Sequence, residues 1–199
     1  MEKTLSQGDI VLVNLLAHGS SLPNSPLEIS GINLFAIFSS KIFHWYKTIN
    51  WEYRRLPGYT DYFHDEIIVF KSTLNQHRVL VKRLFAIPGD TVWISSKHTF
   101  HIDKAAIGAS ENQAEMQYLV VPRKGQKVII NDANISYYKL PLEKTEHIRL
   151  DSLTMPFVHI FQRDCFFLIG DNKRSSSDSR HWGLVPENNV IGKVVYVFK

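Results

Sequence analysis

Residues 165–198 constrain the fold of this chain more than any other stretch. An apolar run, CFFLI at 165–169, and a β-branched run, VIGKVVYV at 190–197, enclose GDNKRSSSDSRHWGLVPENN, which holds three consecutive serines, three acids and two arginines. Apolar runs bounded by turn formers read as buried strands. A connection this long exceeds the about two to six residues that usually join neighbouring strands. The polar stretch is therefore either a long decorated surface hairpin or a strap across an active site.

The same strand signature recurs along the chain. Residues 10–16 (IVLVNLL), 66–70 (EIIVF), 79–87 (VLVKRLFAI), 91–94 (TVWI), 117–121 (QYLVV), 127–130 (KVII), 159–162, 165–169 and 190–198 are short, rich in β-branched and aromatic residues, and punctuated by Gly, Pro, Asn or Asp. Only 35–49 and 132–139 offer short helix candidates. Residues 20–64, aromatic and Pro-punctuated, are too long for an ordinary connection and read as an insertion. Residues 96–158, with weaker strands and polar linkers, read as a smaller inserted β-rich subdomain. The expected fold is mainly β, a core of residues 1–95 and 159–199 with 20–64 inserted within it and 96–158 folded apart.

With 199 residues the chain can bury a substantial core. Its 23 Lys and Arg against 19 Asp and Glu leave a net charge of +4, spread without a basic run, so nucleic acid is not an expected partner. One cysteine, Cys165, excludes an internal disulfide, and its apolar neighbours mark it as core. No stretch reaches the roughly 18 apolar residues of a spanning helix; the nearest, 32–45, is broken by Ser39, Ser40 and Lys41. The charged opening MEKTLSQGD, leading directly into a strand-like run, does not read as a signal peptide.

The chemistry lies in VLVKRLFAIPGD, residues 79–90. Strand alternation places Leu80, Lys82, Leu84 and Ala86 on one face, with Val81, Arg83, Phe85 and Ile87 on the other. An ammonium bracketed by leucines loses solvation, which lowers its pKa and fits it for general-base work near neutral pH. A Lys-Arg pair on a strand also suits a solvated edge with snorkelling stems, and the residues of this stretch alone leave both readings open.

Taken together, VKRLFAIPGDTV and GDNKRSSSDSRHWGLVPENNVIGKV resemble the two C-terminal signature boxes of bacterial signal peptidase I. The second box is met at Gly170, Asp171, Asn172, Ser176, Asp178, Ser179, Arg180, Trp182, Gly183 and Val185. Lys173 stands where that box has arginine, and Ala86 where the first has glycine. HDEIIVFK at 64–71 and MEKTLSQGDIVLVNLLAHG at 1–19 resemble two further boxes, Lys3 replacing a proline. The resemblance implies a signal-peptidase-like core of coiled antiparallel sheets and a Ser-Lys serine endopeptidase, with Lys82 as general base, Ser176 orienting it, and Asp178 and Arg180 as structural support.

It further implies that exported preproteins are cut at Ala-x-Ala-like sites of their signal peptides, bound as an extended strand with Met1, Leu80 and Leu84 lining shallow apolar pockets. The implied location is the bacterial inner membrane, with the catalytic domain on the periplasmic side. In that family the nucleophilic serine immediately precedes the methionine matched by Met1, and a membrane anchor lies further upstream. The chain as written is therefore expected to be inactive, as a truncated form of an anchored peptidase or as a paralogue that has lost its nucleophile and acts as a binding module. A self-cleaving repressor-type protease shares the Ser-Lys chemistry but lacks the strap.

The insertion carries Phe35, Phe38, Phe43, Trp45, Trp51, Tyr53, Tyr59, Tyr62 and Phe63 among Lys41, Lys47, Arg54 and Arg55. Such a mixture suits a lipid interface, and it equally suits packing of the insertion onto the core. His98 and His101 would point to opposite faces of a strand, so no metal is expected, and no cofactor.

Overall fold

The computed structural model describes residues 4–29, 40–75, 78–95, 99–102, 116–173 and 175–199. Met1, Phe35, Phe38 and His98 lie outside the described residues. The chain divides into two compact units, one of Met1–Asn14 with Tyr62–Lys199 and one of Leu15–Asp61.

The larger unit is mainly β, as its sequence pattern predicts. Strands β1 (Ile10–Asn14), β2 (Ile67–Lys71), β3 (Val79–Ala86), β4 (Thr91–Ile94), β5 (Phe100–His101), β6 (Gln117–Val120), β7 (Lys127–Ile130), β8 (Phe157–Ile160), β9 (Cys165–Ile169), β10 (Val185–Pro186) and β11 (Val190–Phe198) form three sheets. The main sheet has the order β1-β11-β2-β3-β9-β10, and β5-β4-β6 and β7-β8 form smaller ones. Every pairing is antiparallel. Pro186, which has no N–H to give a ladder, sits on the edge strand β10.

Strand β9 explains why its sequence is a continuous apolar run rather than an alternating one: both of its faces are covered. Phe166 and Leu168 pack with Ile68, Phe70, Leu84, Trp182, Val185 and Val190. Cys165, Phe167 and Ile169 pack with Ala86, Val92, Leu119, Val128, Tyr138 and Phe161. That second cluster draws residues of β4, β6 and β7 against β9, together with the helix α2 (Ile135–Leu140). Each fully buried Phe or Leu contributes about 1.5 to 3 kcal/mol.

Strand β3 departs from simple alternation near its end. Leu84 pairs with Leu168 and Ala86 with Phe167, which leaves Phe85 as the extra residue of a bulge. Leu80 and Leu84 therefore face one cluster and Ala86 the other. The expectation that all four even-numbered residues of this strand share a face holds only up to Leu84.

The polar stretch after β9 is not a bare loop. It contains a short helix, α3 (Ser179–Trp182), begun by Asp178, whose carboxylate accepts from the Arg180 backbone N–H while its own N–H donates to the His181 ring at 3.5 Å. Gly183 ends the helix with φ 88°, at a point where a Cβ would lie 2.4 Å from the Tyr137 carbonyl oxygen. The chain then enters β10, returning to pair with β9.

In the unit of Leu15–Asp61, Ser21 bridges to Arg55, and the Arg55 guanidinium donates to the Gly19 carbonyl at 2.5 Å and to the Tyr53 hydroxyl at 2.8 Å. A helix, α1, occupies Ser40–Thr48, and Lys47 lies 4.6 Å from the centre of the Phe43 ring. Phe43, Trp45, Trp51 and Tyr59 are exposed.

Candidate active site

Lys82 lies in the middle of β3, paired with Ile68 on β2 and followed two residues on by fully buried Leu84. Its stem runs beside the apolar cluster, and its Nζ donates to the Ser176 hydroxyl oxygen at 2.8 Å. Partial burial holds the Lys82 ammonium below the ordinary lysine range, and Arg180 adds to that effect, while Asp178 and Asp171 oppose it. The Ser176 hydroxyl in turn donates to the Asp178 carboxylate. With Ser176 accepting from the lysine and donating to the aspartate, its hydroxyl has one orientation, and an uncharged Lys82 amine keeps its lone pair free on the side away from it.

Asp178 is fully buried and thoroughly satisfied. Its carboxylate accepts Nε and Nη2 of Arg180, each at 2.8 Å, and the backbone N–H of Gly170 at 3.0 Å. Burial alone would raise this carboxyl; the bonds from Arg180, Gly170 and Ser176 outweigh it and hold Asp178 below its usual range. Arg180 also donates to the Lys173 carbonyl at 3.0 Å, tying the strap across itself. Gly170 is required by space: a Cβ there would stand 2.0 Å from Ser176 Oγ and 3.2 Å from Lys82 Nζ.

Arg83, next along β3, points the other way. Its Nε and Nη2 each donate to Asp171 at 2.9 Å, and its Nη1 donates to the Asp65 carbonyl at 2.7 Å. Thr4 completes the cluster, donating its hydroxyl to Asp171 and accepting from Arg83 Nη2 at 3.2 Å. The bonds from Arg83, aided by Thr4, hold the Asp171 carboxyl below its usual range against the effect of burial. Thr4, Arg83, Asp171, Phe85, Ile169 and Gly170 are among the residues lining an open depression of ≈ 410 Å³.

Lys82, Ser176, Asp178 and Arg180 thus form one connected hydrogen-bonded chain. Leu80 keeps part of its surface, whereas Leu84 is fully buried and presents none to a peptide. Cys165 is fully buried in the core, which pushes its thiol well above the ordinary range. Among the described residues no group of three or more His, Cys, Asp or Glu side chains is gathered as for a metal ion.

A profile of the family described as "Signal peptidase, peptidase S26" matches residues 1–199. The chain belongs to the S26 signal peptidase family. Among its relatives are a signal peptidase I of Pseudomonas aeruginosa, 22% identical with 100% of this chain and 61% of the relative covered, and one of Buchnera aphidicola, 26% identical with 100% and 66% covered. A signal peptidase I of Helicobacter pylori is 28% identical over 67% of this chain and 53% of its own length. The chain spans about three-fifths to two-thirds of the first two of these relatives. A solved signal peptidase I from Enterococcus faecalis is 22% identical, with a TM-score of 0.34 over 68% of this chain and 98% of the other.

In this S26 chain, sequence reasoning gave no role to Thr4, Arg83, Asp171 or Gly170. All four fall within or beside the quoted boxes. Arg83 carried a further signal, because alternation aims it away from the lysine, towards a different partner.

Proposed function

We propose that this chain is the catalytic region of a bacterial type I signal peptidase in which Lys82 is the general base of a Ser-Lys dyad. One observation supports the reading above the others. A half-buried lysine with a lowered pKa is fixed by a hydroxyl that is itself fixed by a buried, arginine-paired carboxylate. A surface lysine needs none of these supports, whereas a general base gains from a lowered pKa and a fixed amine.

The nucleophile of the proposed reaction is the serine that the family's N-terminal box carries immediately before the methionine matched by Met1. As its Oγ bonds to the scissile carbonyl carbon, the Lys82 amine takes the hydroxyl proton. The resulting ammonium gives that proton to the departing amide nitrogen as the C–N bond breaks. A water molecule, deprotonated by the same amine, then attacks the acyl carbon, and the ammonium returns that proton to the serine Oγ as the C–O bond breaks and the acid is released. Ser176 keeps the amine aimed through both steps, with Asp178 and Arg180 holding Ser176.

The proposed substrates are exported preproteins, cut after small residues in an extended Ala-x-Ala-like segment. The proposed location is the extracytoplasmic side of the bacterial inner membrane. Among the described residues no helix is long and apolar enough to cross a membrane. The exposed Phe43, Trp45, Trp51 and Tyr59, beside Lys47 and Arg54, are proposed to meet lipid headgroups.

Mass spectrometry of a preprotein incubated with two forms of the protein tests the reading. The form extended through the family's serine position is expected to release the mature protein, and the 199-residue form is expected not to. Cleavage by the shorter form would remove the assigned nucleophile. Binding of the signal peptide by the extended form without cleavage would instead favour a binding module.

A further inference from the structure

We propose that Thr4 is a positioning residue for the nucleophile, a role that rests on the Ser-Lys reading above. Its hydroxyl is used in both directions, donating to Asp171 Oδ2 and accepting from Arg83 Nη2 at 3.2 Å. Neither partner is free to drift. Arg83 is held by two bonds to Asp171 and one to the Asp65 carbonyl, and it is covalently next to Lys82 on β3. Asp171 directly follows Gly170, whose N–H donates to Asp178 at 3.0 Å. The two anchors of Thr4 are thus the immediate chain neighbours of the lysine and of the glycine that makes room for Ser176.

Beyond Thr4 the chain turns, with the Ser6 N–H donating to Asp9 Oδ2 at 2.8 Å and the Asp9 N–H to the Ser6 carbonyl at 3.2 Å. It enters β1 at Ile10 and pairs with β11. Strand β1 fixes the segment from its far side, and Thr4 fixes it beside the base. The serine position lies four residues before Thr4, and four residues of extended chain reach at most about 13 to 14 Å. Pinning Thr4 to the neighbour of Lys82 sets an upper limit on how far the nucleophile can stray from the amine, and in such a dyad even a misplacement of about 1 Å can cost about a hundredfold in rate. Without the hydroxyl, Thr4 would lose both of these bonds, and the turn at residues 6–9 would remain between it and β1.

Thr4→Val keeps the shape and removes both bonds, and Thr4→Ser restores the hydroxyl. Each is made in the protein extended N-terminally through the family's serine position. Two readouts are taken, amide hydrogen exchange of the peptide spanning residues 1–9 and steady-state cleavage of a signal-peptide substrate. Thr4→Val is expected to exchange that peptide at least about tenfold faster and to lose about tenfold or more in kcat, with KM changed less than about twofold. Exchange in β3 should be unchanged, which reads out an intact fold, and Thr4→Ser should recover both quantities to within about threefold of the parent. Wild-type exchange at residues 1–9 in Thr4→Val, or an unchanged kcat, or a Thr4→Ser protein as slow as Thr4→Val, would overturn the proposal. Failure of the Ser-Lys reading shows separately, as full cleavage by Lys82→Met, and leaves the exchange result standing.

Discussion

Lys82 and Arg83 are consecutive cations on β3, and the fold surrounds them in opposite ways. Lys82 lies against the apolar cluster of β2, β3 and β9, with one hydroxyl as its hydrogen-bond partner, and burial lowers its pKa. Arg83 meets a carboxylate in a two-pronged bond, and that bond raises its pKa further. The contrast separates two uses of positive charge. A cation paired with an anion stays charged and serves as a fixed brace. A cation half-buried against apolar surface, with a neutral hydroxyl rather than a carboxylate as its hydrogen-bond partner, is pushed towards its uncharged form, in which it can accept a proton. Strand geometry makes such a contrast possible between adjacent residues, because one peptide unit separates the two faces.

Replacing each cation by methionine tests that separation most directly. Lys82→Met, made in the N-terminally extended protein, should reduce cleavage by roughly 10³-fold or more, in the upper part of the range for losing a general base. Its thermal midpoint should stay within a few degrees, since methionine keeps the apolar stem and removes a half-buried amine. In the parent protein, cleavage should rise with pH as Lys82 loses its proton, with a midpoint below the 10.5 of an unperturbed lysine. Stability has the same sign. Between the lowered folded pKa and 10.5 the unfolded chain binds more protons, so stability rises with pH across that window. A Lys82→Met protein that still cleaves, or a parent whose activity falls over that range, would break the comparison at its catalytic end.

Asp178→Ala should give the largest loss of stability, about 3 to 5 kcal/mol, because it leaves the Arg180 guanidinium without its buried partner and removes the cap of α3. Chemical denaturation reads this out. In the parent, Asp178 has a folded pKa below its unfolded value near 3.8, so its contribution is complete above about pH 4 to 5 and is lost as pH falls through the folded value. Arg83→Met should cost less, about 2 kcal/mol, since Asp171 keeps some contact with water at 11% exposure and retains the Thr4 hydroxyl. If Arg83→Met proves more damaging to stability than Asp178→Ala, the brace and the support of the base have been assigned the wrong weights.

The strands and the Lys82, Ser176, Asp178 and Arg180 quartet could be read from sequence because both rest on local signals. Apolar runs between turn formers set the strands, and residues at fixed offsets within two boxes set the quartet. The bulge at Phe85 gave no such signal, because it depends on which cluster Phe167 and Leu168 face on a strand more than 80 residues away. For the same reason Leu84 read as a pocket wall and proved to be core. Helix α3 was hidden by its length; four residues show no periodicity, and only Asp178 as a cap marks the start. The Thr4 bonds join residues 79 and 167 positions apart, and threonine before a turn has an ordinary explanation in the turn itself.

The smallest expected effect belongs to Ser176→Ala, and it sharpens the comparison because it alters the surroundings of Lys82 without touching its charge. The substitution removes the acceptor 2.8 Å from Nζ and one donor to Asp178, which keeps its bonds from Arg180 and Gly170. The barrier to cleavage should rise by about 1 to 2 kcal/mol, the scale of a lost hydrogen bond that orients a reacting group. The pH profile should move as well. An ammonium donates to a hydroxyl oxygen more strongly than a neutral amine does, so losing Ser176 disfavours the charged form and shifts the rising limb to lower pH. The mutant should then be slower at high pH, where both proteins have a neutral Lys82, and the rate deficit should narrow as pH falls. Rates measured across the pH range decide between this and a purely structural role for Ser176. A uniform loss with an unmoved midpoint would mean that Ser176 only fills space beside Gly170 and neither favours the charged lysine nor aims its amine.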